Sequence, residues 1–189
     1  MTPEDALALL LSKLDACKIP YMIAGSFASN MHGLPRATQD ADIVIEADRP
    51  SLKRLLESLG QDFYKSEEAA REAFLHRQIF NVIHLETGFK IDLIIRKSRP
   101  FSETEFSRRQ SALYLGATRW FATAEDTILV KLEWSKQGES ERQFNDALNV
   151  AKVQRHNLDR SYLRKWASEL DLSDLVDRLF DEVDRGEQG

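Results

Sequence analysis

This sequence predicts an α/β (α+β) chain: a small mixed β-sheet with flanking helices, followed by a helical C-terminal part. Three observations carry that expectation. Short apolar runs at 19–24, 40–46, 79–86, 89–96 and 117–121 alternate with segments whose apolar residues recur at helical spacing. β-branched residues crowd the runs, as in Ala41-Asp42-Ile43-Val44-Ile45 and Ile91-Asp92-Leu93-Ile94-Ile95. From Ala124 onward only helical spacing remains. The expected division is an α/β domain over 1–122 and a C-terminal helical region over 123–189 packed on it.

The elements follow in order. Thr2-Pro3, a capping residue and a first-turn proline, opens a helix over 4–17. Ile19 to Ala24 reads as a buried strand and Ser26 to His32 as a short helix, broken by Gly33-Leu34-Pro35. Asp40 to Glu46 is a strand, and Ser51 to Leu59 a helix closed by Gly60. Ile79–Glu86 and Phe89–Arg96 form a hairpin turning at Thr87-Gly88. Residues 103–113 are expected helical and Ala117–Phe121 a short strand. Helices follow over 124–137, 141–155, 159–170 and 172–185, with breaks at Gly138 and at Asn157–Asp159. Phe74, Phe80, Trp120, Trp134 and Trp166 read as packing residues.

Composition narrows the functional classes. The apolar fraction is 42% and the charged fraction 30% of 189 residues, as in an ordinary globular protein. No run is long enough to span a membrane, and the N-terminal ALALLLSKL is short, amphipathic and acidic-flanked, so a cytoplasmic protein is expected. Cys17 stands alone, which leaves no disulfide framework or cysteine zinc site. The four histidines lack zinc spacing, and Ser26 has no evident His–Asp partnership. A net charge of −5 disfavours broad nucleic-acid binding. Seven basic residues between Lys90 and Arg119 face only Asp92, Glu103 and Glu105, a local surplus that suits either phosphates or a solvated surface. The acidic residues Asp171, Asp174, Asp177, Asp181 and Asp184 are spaced as a solvated helix face.

Two carboxylates on one strand demand a reason. Side chains alternate along a strand, so Asp40 and Asp42 share a face, about 7 Å apart, while Ala41, Ile43 and Ile45 take the other. Like charges so placed repel unless a cation lies among them, and magnesium, with its preference for hard oxygen ligands, is the natural candidate. Asp92 interrupts a second apolar strand in the same way. Each aspartate alone also fits a strand end or turn cap. Gly25-Ser26 follows a buried strand and opens a helix, where free backbone N–H groups and the helix dipole suit a phosphate; a serine N-cap explains the pair equally.

Gly-Ser, thirteen residues, then Asp-hydrophobic-Asp-hydrophobic resembles the signature of the DNA polymerase β-type nucleotidyltransferase superfamily, with Asp92 matching its third carboxylate, over roughly residues 19–96. The resemblance implies a nucleotidyltransferase fold and a transferase that moves an NMP from an NTP to an acceptor hydroxyl. It implies two Mg²⁺ ions held by Asp40, Asp42 and Asp92, the last also helping to activate the hydroxyl, with the triphosphate gripped at Gly25 and Ser26.

Leu34-Pro35-Arg36-Ala37-Thr38-Gln39-Asp40-Ala41-Asp42 is similar to the L-x-R-x-T-x-D-x-D block of nucleotidyltransferase toxins from type IV toxin–antitoxin, or abortive-infection, systems. That likeness implies nucleotide-binding roles for Arg36 and Thr38; the residues alone fit equally a turn cap at Thr38 and a surface ion pair at Arg36. AEDTILVKLEW and ERQFNDAL resemble later blocks of the group and align Lys131 with a nucleotide-binding lysine and Arg142 and Asp146 with secondary site residues. Phe144-Asn145 departs from the Lys-Asp pair usual in the second block. Arg142 and Asp146 also fit a plain i,i+4 ion pair, and Lys131 equally fits a surface pair with Glu133 or Glu125. The implied partners are an NTP, an acceptor (RNA end, protein or small molecule) and a cognate antitoxin. The alternative is a catalytically inactive nucleotide- or partner-binding module of the same fold.

Overall fold

The computed structural model describes residues 1–185; positions 186–189 of the expected C-terminal region lie outside the described residues. In chain order the elements are α1 (Pro3–Ala16), β1 (Tyr21–Ile23), α2 (Gly25–His32), β2 (Asp40–Ile45), α3 (Arg49–Ser58), β3 (Phe63–Lys65), α4 (Glu67–His76), β4 (Ile79–His84), β5 (Lys90–Ile95), α5 (Pro100–Arg108), β6 (Gln110–Tyr114), β7 (Ala117–Phe121), α6 (Ala124–Gly138), α7 (Glu141–Gln154), α8 (Arg160–Glu169) and α9 (Ser173–Arg185). This is the mixed α/β architecture that the sequence predicts.

The described residues fall into two compact units. The first comprises Met1–Ala24 and Thr38–Phe121; the second comprises Gly25–Ala37 and the chain from Ala122 onward. Segment 25–37, which the sequence reading placed with the first 122 residues, thus clusters with the C-terminal helices.

The first unit holds a seven-stranded sheet in the order β3-β4-β5-β2-β1-β7-β6. β2 pairs parallel with β5, and β1 parallel with β7; the other neighbours are antiparallel. One face is wholly apolar at its centre, since Ala41, Ile43, Ile45, Ile91, Leu93 and Ile95 are each at most 3% exposed. α1 forms because Thr2 caps it reciprocally: Asp5 N–H donates to Thr2 Oγ1 (3.2 Å) and Thr2 N–H to Asp5 Oδ2 (2.8 Å). It buries Leu7, Leu10, Leu11 and Leu14, a helical stripe whose burial stabilises by about 1.5–3 kcal/mol per side chain.

Several expectations are corrected. The predicted helix over 103–113 ends at Arg108, and residues 110–114 instead form β6, paired antiparallel with β7 through a turn at Leu115-Gly116. Arg109 adopts φ −49, ψ 141, an extended conformation that stops the helix. β3 and α4 were not foreseen; Ser66 caps α4 by accepting from Ala69 N–H at 3.1 Å, and the helix closes on Arg77 in the left-handed region. Among the five aromatics read as packing residues, Phe80 and Trp166 are buried, but Trp120 is 40% and Trp134 51% exposed.

In the second unit, α7 packs against α6 and α9, and α2 against α6 and α7. Phe144 of α7 is fully buried and the Arg178 guanidinium lies 3.8 Å from its ring centroid. At Gly33 a Cβ would meet Ser29 O at 3.0 Å and Val150 Cγ2 at 3.1 Å, so the chain leaving α2 passes too close to α7 for a side chain. Gln154 Nε2 donates to His32 O (2.9 Å), and a His32 Nε2···Ala122 O bond (2.7 Å) fixes the same corner.

Candidate functional site

The carboxylates are gathered by strand register within the first unit. β2 and β5 align Asp40 with Lys90, Asp42 with Asp92 and Val44 with Ile94. Laterally paired residues point to the same side of a sheet, so Asp40, Asp42, Asp92 and Lys90 share one face. Asn81 of β4, opposite Asp92, joins them. Side-chain exposure falls from 45% at Asp40 to 17% at Asp92. Thr38 precedes the strand and its hydroxyl donates to Asp40 O (3.0 Å), with Asp40 Oδ1 at 3.4 Å, which orients that side chain.

A cation of the chain itself lies on this face. Lys90 Nζ is 2.8 Å from Asp92 Oδ2 and 3.6 Å from Asp40 Oδ2. The hydrogen bond to Asp92 is the main reason the Lys90 ammonium is held above the usual lysine range; partial burial opposes the rise, and the Asp92 and Asp40 charges add to it. Among the described residues no three His, Cys, Asp or Glu side chains converge closely enough to hold a metal ion. The donor chemistry nevertheless suits a hard divalent cation: three carboxylates on one partly exposed sheet face.

The second unit builds a buried charge cluster from residues distant in sequence. Arg36 makes a bidentate pair with Asp146, Nε–Oδ1 3.1 Å and Nη2–Oδ2 2.8 Å, and Nη2 also donates to Ser26 Oγ at 2.9 Å. Lys131 Nζ donates to Asp146 Oδ2 at 3.0 Å. Ser26, Lys131 and Asp146 are each at most 8% exposed. Burial pushes the Asp146 carboxyl up, but the hydrogen bonds and charges of Arg36 and Lys131 outweigh it and hold the group below the usual carboxylate range. Two cations thus share the Asp146 carboxylate, one of them also touching Ser26. Gly25 takes φ +55, the left-handed region that favours glycine, as it turns into α2.

These contacts decide between several sequence alternatives. Asp146 pairs with Arg36 and Lys131, while Arg142, one turn earlier on α7, is exposed. Lys131 is buried against Asp146 rather than pairing at the surface with Glu125 or Glu133. The basic 90–119 segment is largely engaged within its own unit: Arg96 with Glu46 and Glu103, Arg119 with Asp15, and Arg109 over the Phe106 and Trp120 rings. Two contributors escaped sequence reasoning. Lys90 carries a signal, because it lies two residues before Asp92 and so on the same strand face. Asn30 carries none; it clamps the loop through Arg36 N–H to Asn30 Oδ1 (3.0 Å) and Asn30 Nδ2 to Arg36 O (2.7 Å).

The fold is similar to those of solved nucleotidyltransferase-like proteins. An antigenic nucleotidyltransferase-like protein from Paracoccidioides brasiliensis matches over 93% of this chain and 92% of its own, with a TM-score of 0.58 at 18% identity. The antibiotic-resistance factor ANT(2'')-Ia matches over 87% and 92%, with a TM-score of 0.55 at 12% identity. A lincosamide antibiotic adenylyltransferase, solved with lincomycin bound, matches over 79% and 97%, with a TM-score of 0.54 at 13% identity. At such identities the likeness is one of fold: this chain has a nucleotidyltransferase-like fold. No protein-family model matches the sequence, and no curated protein matches it. No described helix is long and apolar enough to cross a membrane.

Proposed function

We propose that the protein is a Mg²⁺-dependent nucleotidyltransferase that moves an NMP unit from an NTP to an acceptor hydroxyl. The observation that carries this reading is the register of β2 and β5, which puts Asp40, Asp42 and Asp92 on one sheet face with Asp42 and Asp92 directly paired. Those three carboxylates are the residues to hold Mg²⁺, two ions being expected. Bound there, the metal supplies neutralisation of phosphate charge and a lowered pKa for the attacking hydroxyl.

The remaining roles belong to the chain's own groups. Asp92, 17% exposed against 45% for Asp40, is the carboxylate we assign to help activate the acceptor hydroxyl. Thr38 fixes Asp40 from the preceding loop. In the second unit, Ser26 Oγ accepts from Arg36 and so keeps its own O–H to donate to a phosphate oxygen. Gly25 lets the backbone approach that ligand closely. Arg36 contributes charge as well as the Ser26 contact, and Lys131, buried, holds Asp146 and through it Arg36. Arg142, exposed on α7, is a candidate for acceptor contact only.

The acceptor is a hydroxyl of a small molecule, an RNA end or a protein. The adenylyltransferase and resistance-factor neighbours lend weight to the first, and the L-x-R-x-T-x-D-x-D block to a toxin with a cognate antitoxin. A second reading, a catalytically inactive nucleotide- or partner-binding module, is favoured by one observation: Lys90 already neutralises part of the carboxylate face. Incubation with each α-labelled NTP, Mg²⁺ and a mixture of total RNA and lysate separates the two. Label entering an acceptor with wild type and not with Asp40→Asn/Asp42→Asn supports the enzyme; Mg²⁺-dependent nucleotide binding without transfer supports the module.

A further inference from the structure

We infer that Lys90 is a built-in counter-ion that competes with the divalent cation for the carboxylate face, so that metal loading must first move its ammonium off Asp92 and Asp40. The inference rests on the reading of Asp40, Asp42 and Asp92 as metal ligands. Strand geometry places the residue there twice over: Lys90 is the register partner of Asp40 and lies two positions before Asp92 on the same strand face. Its Nζ reaches Asp92 Oδ2 at 2.8 Å and Asp40 Oδ2 at 3.6 Å, so a single ammonium spans two of the three carboxylates.

Lysine carries three donors and no acceptor, and those donors take the same oxygen lone pairs that a divalent cation would need. An ammonium and a divalent cation sharing the same carboxylates would stand only a few ångströms apart and repel strongly. Release is sterically easy, because the Lys90 side chain is 40% exposed on a flexible four-carbon stem. Without Lys90 the face would lose the cation that spans Asp92 and Asp40.

Mn²⁺ titration of the full chain without nucleotide, read by the electron paramagnetic resonance of free Mn²⁺, tests the competition on wild type, Lys90→Met, Lys90→Arg and Asp40→Asn/Asp42→Asn. Lys90→Met should bind Mn²⁺ about tenfold more tightly than wild type, melt lower without metal and recover with it, while Lys90→Arg stays near wild type. Lys90→Met binding no more tightly, with binding lost in the double mutant, overturns the competition and leaves the carboxylate site standing. Mn²⁺ bound by none of the proteins overturns both. A measurement on the wild type alone guards against a misfolded variant: amine-reactive labelling of Lys90, followed by peptide mass spectrometry, should accelerate several-fold when Mg²⁺ is added. A labelling rate indifferent to Mg²⁺ overturns the inference.

Discussion

Asp146 shows how one carboxylate organises residues that the sequence scatters. It holds Arg36 through two hydrogen bonds and Lys131 through a third, with almost no exposure to water. Asp146→Asn removes the carboxylate that Arg36 and the buried Lys131 share, and should cost about 3–5 kcal/mol, read from urea melts. The pH dependence has a definite sign. Because the folded-state pKa is depressed, the stabilisation is fully present above the ordinary carboxylate range near about 4 and is lost as pH falls through the lower folded value. Wild type should therefore lose stability on acidification below about pH 4, and Asp146→Asn should lack that part of the slope. Gly25 makes a smaller demand: its φ of +55 predicts that Gly25→Ala costs about 1–2 kcal/mol in thermal unfolding.

Helices and strands were readable from the sequence where pattern and chemistry agreed. The Asp40–Glu46 and Phe89–Arg96 strands were visible because β-branched residues crowd them around the aspartates, and the turn between β4 and β5 because Thr87-Gly88 supplies the positive φ, +67 at Gly88. The 103–113 region was misread past Arg108 because the helix end is set by Arg109 turning extended and by β7 offering a partner, neither of which local spacing encodes. The three-residue strand β3 is too short for any periodicity to register. Asp40, Asp42 and Asp92 were legible as a candidate set; the pairing of Asp42 with Asp92 across β2 and β5, and Lys90 beside them, belong to the register. On α7, Phe144 is fully buried under Arg178, and Phe144→Ala should destabilise by about 3–5 kcal/mol in the same melts.

For the chain as a whole, the second unit is discontinuous in sequence, and that has a consequence for truncation. Segment 25–37 is tied to the later helices by the Arg36–Asp146 pair, the Gly33–Val150 contact and the Gln154–His32 hydrogen bond. A fragment ending at Phe121 removes all three, and hydrogen exchange over 25–37 should become fast there while staying slow in the full chain. The sequence assigned this segment to its neighbours along the chain because no local feature of 25–37 announces partners more than a hundred residues away. Ser26 and Arg36 were singled out as candidates without their mutual contact, whereas Asp146 was assigned through a loose likeness that left an i,i+4 pair with Arg142 as an equal alternative. The enzyme reading itself stands on Asp40, Asp42 and Asp92. Transfer from an α-labelled NTP, measured for wild type and Asp92→Asn alongside NTP binding by both, decides it. Loss of transfer by about 10²–10⁴-fold with binding largely kept is the predicted result, and transfer by Asp92→Asn at the wild-type rate would contradict it.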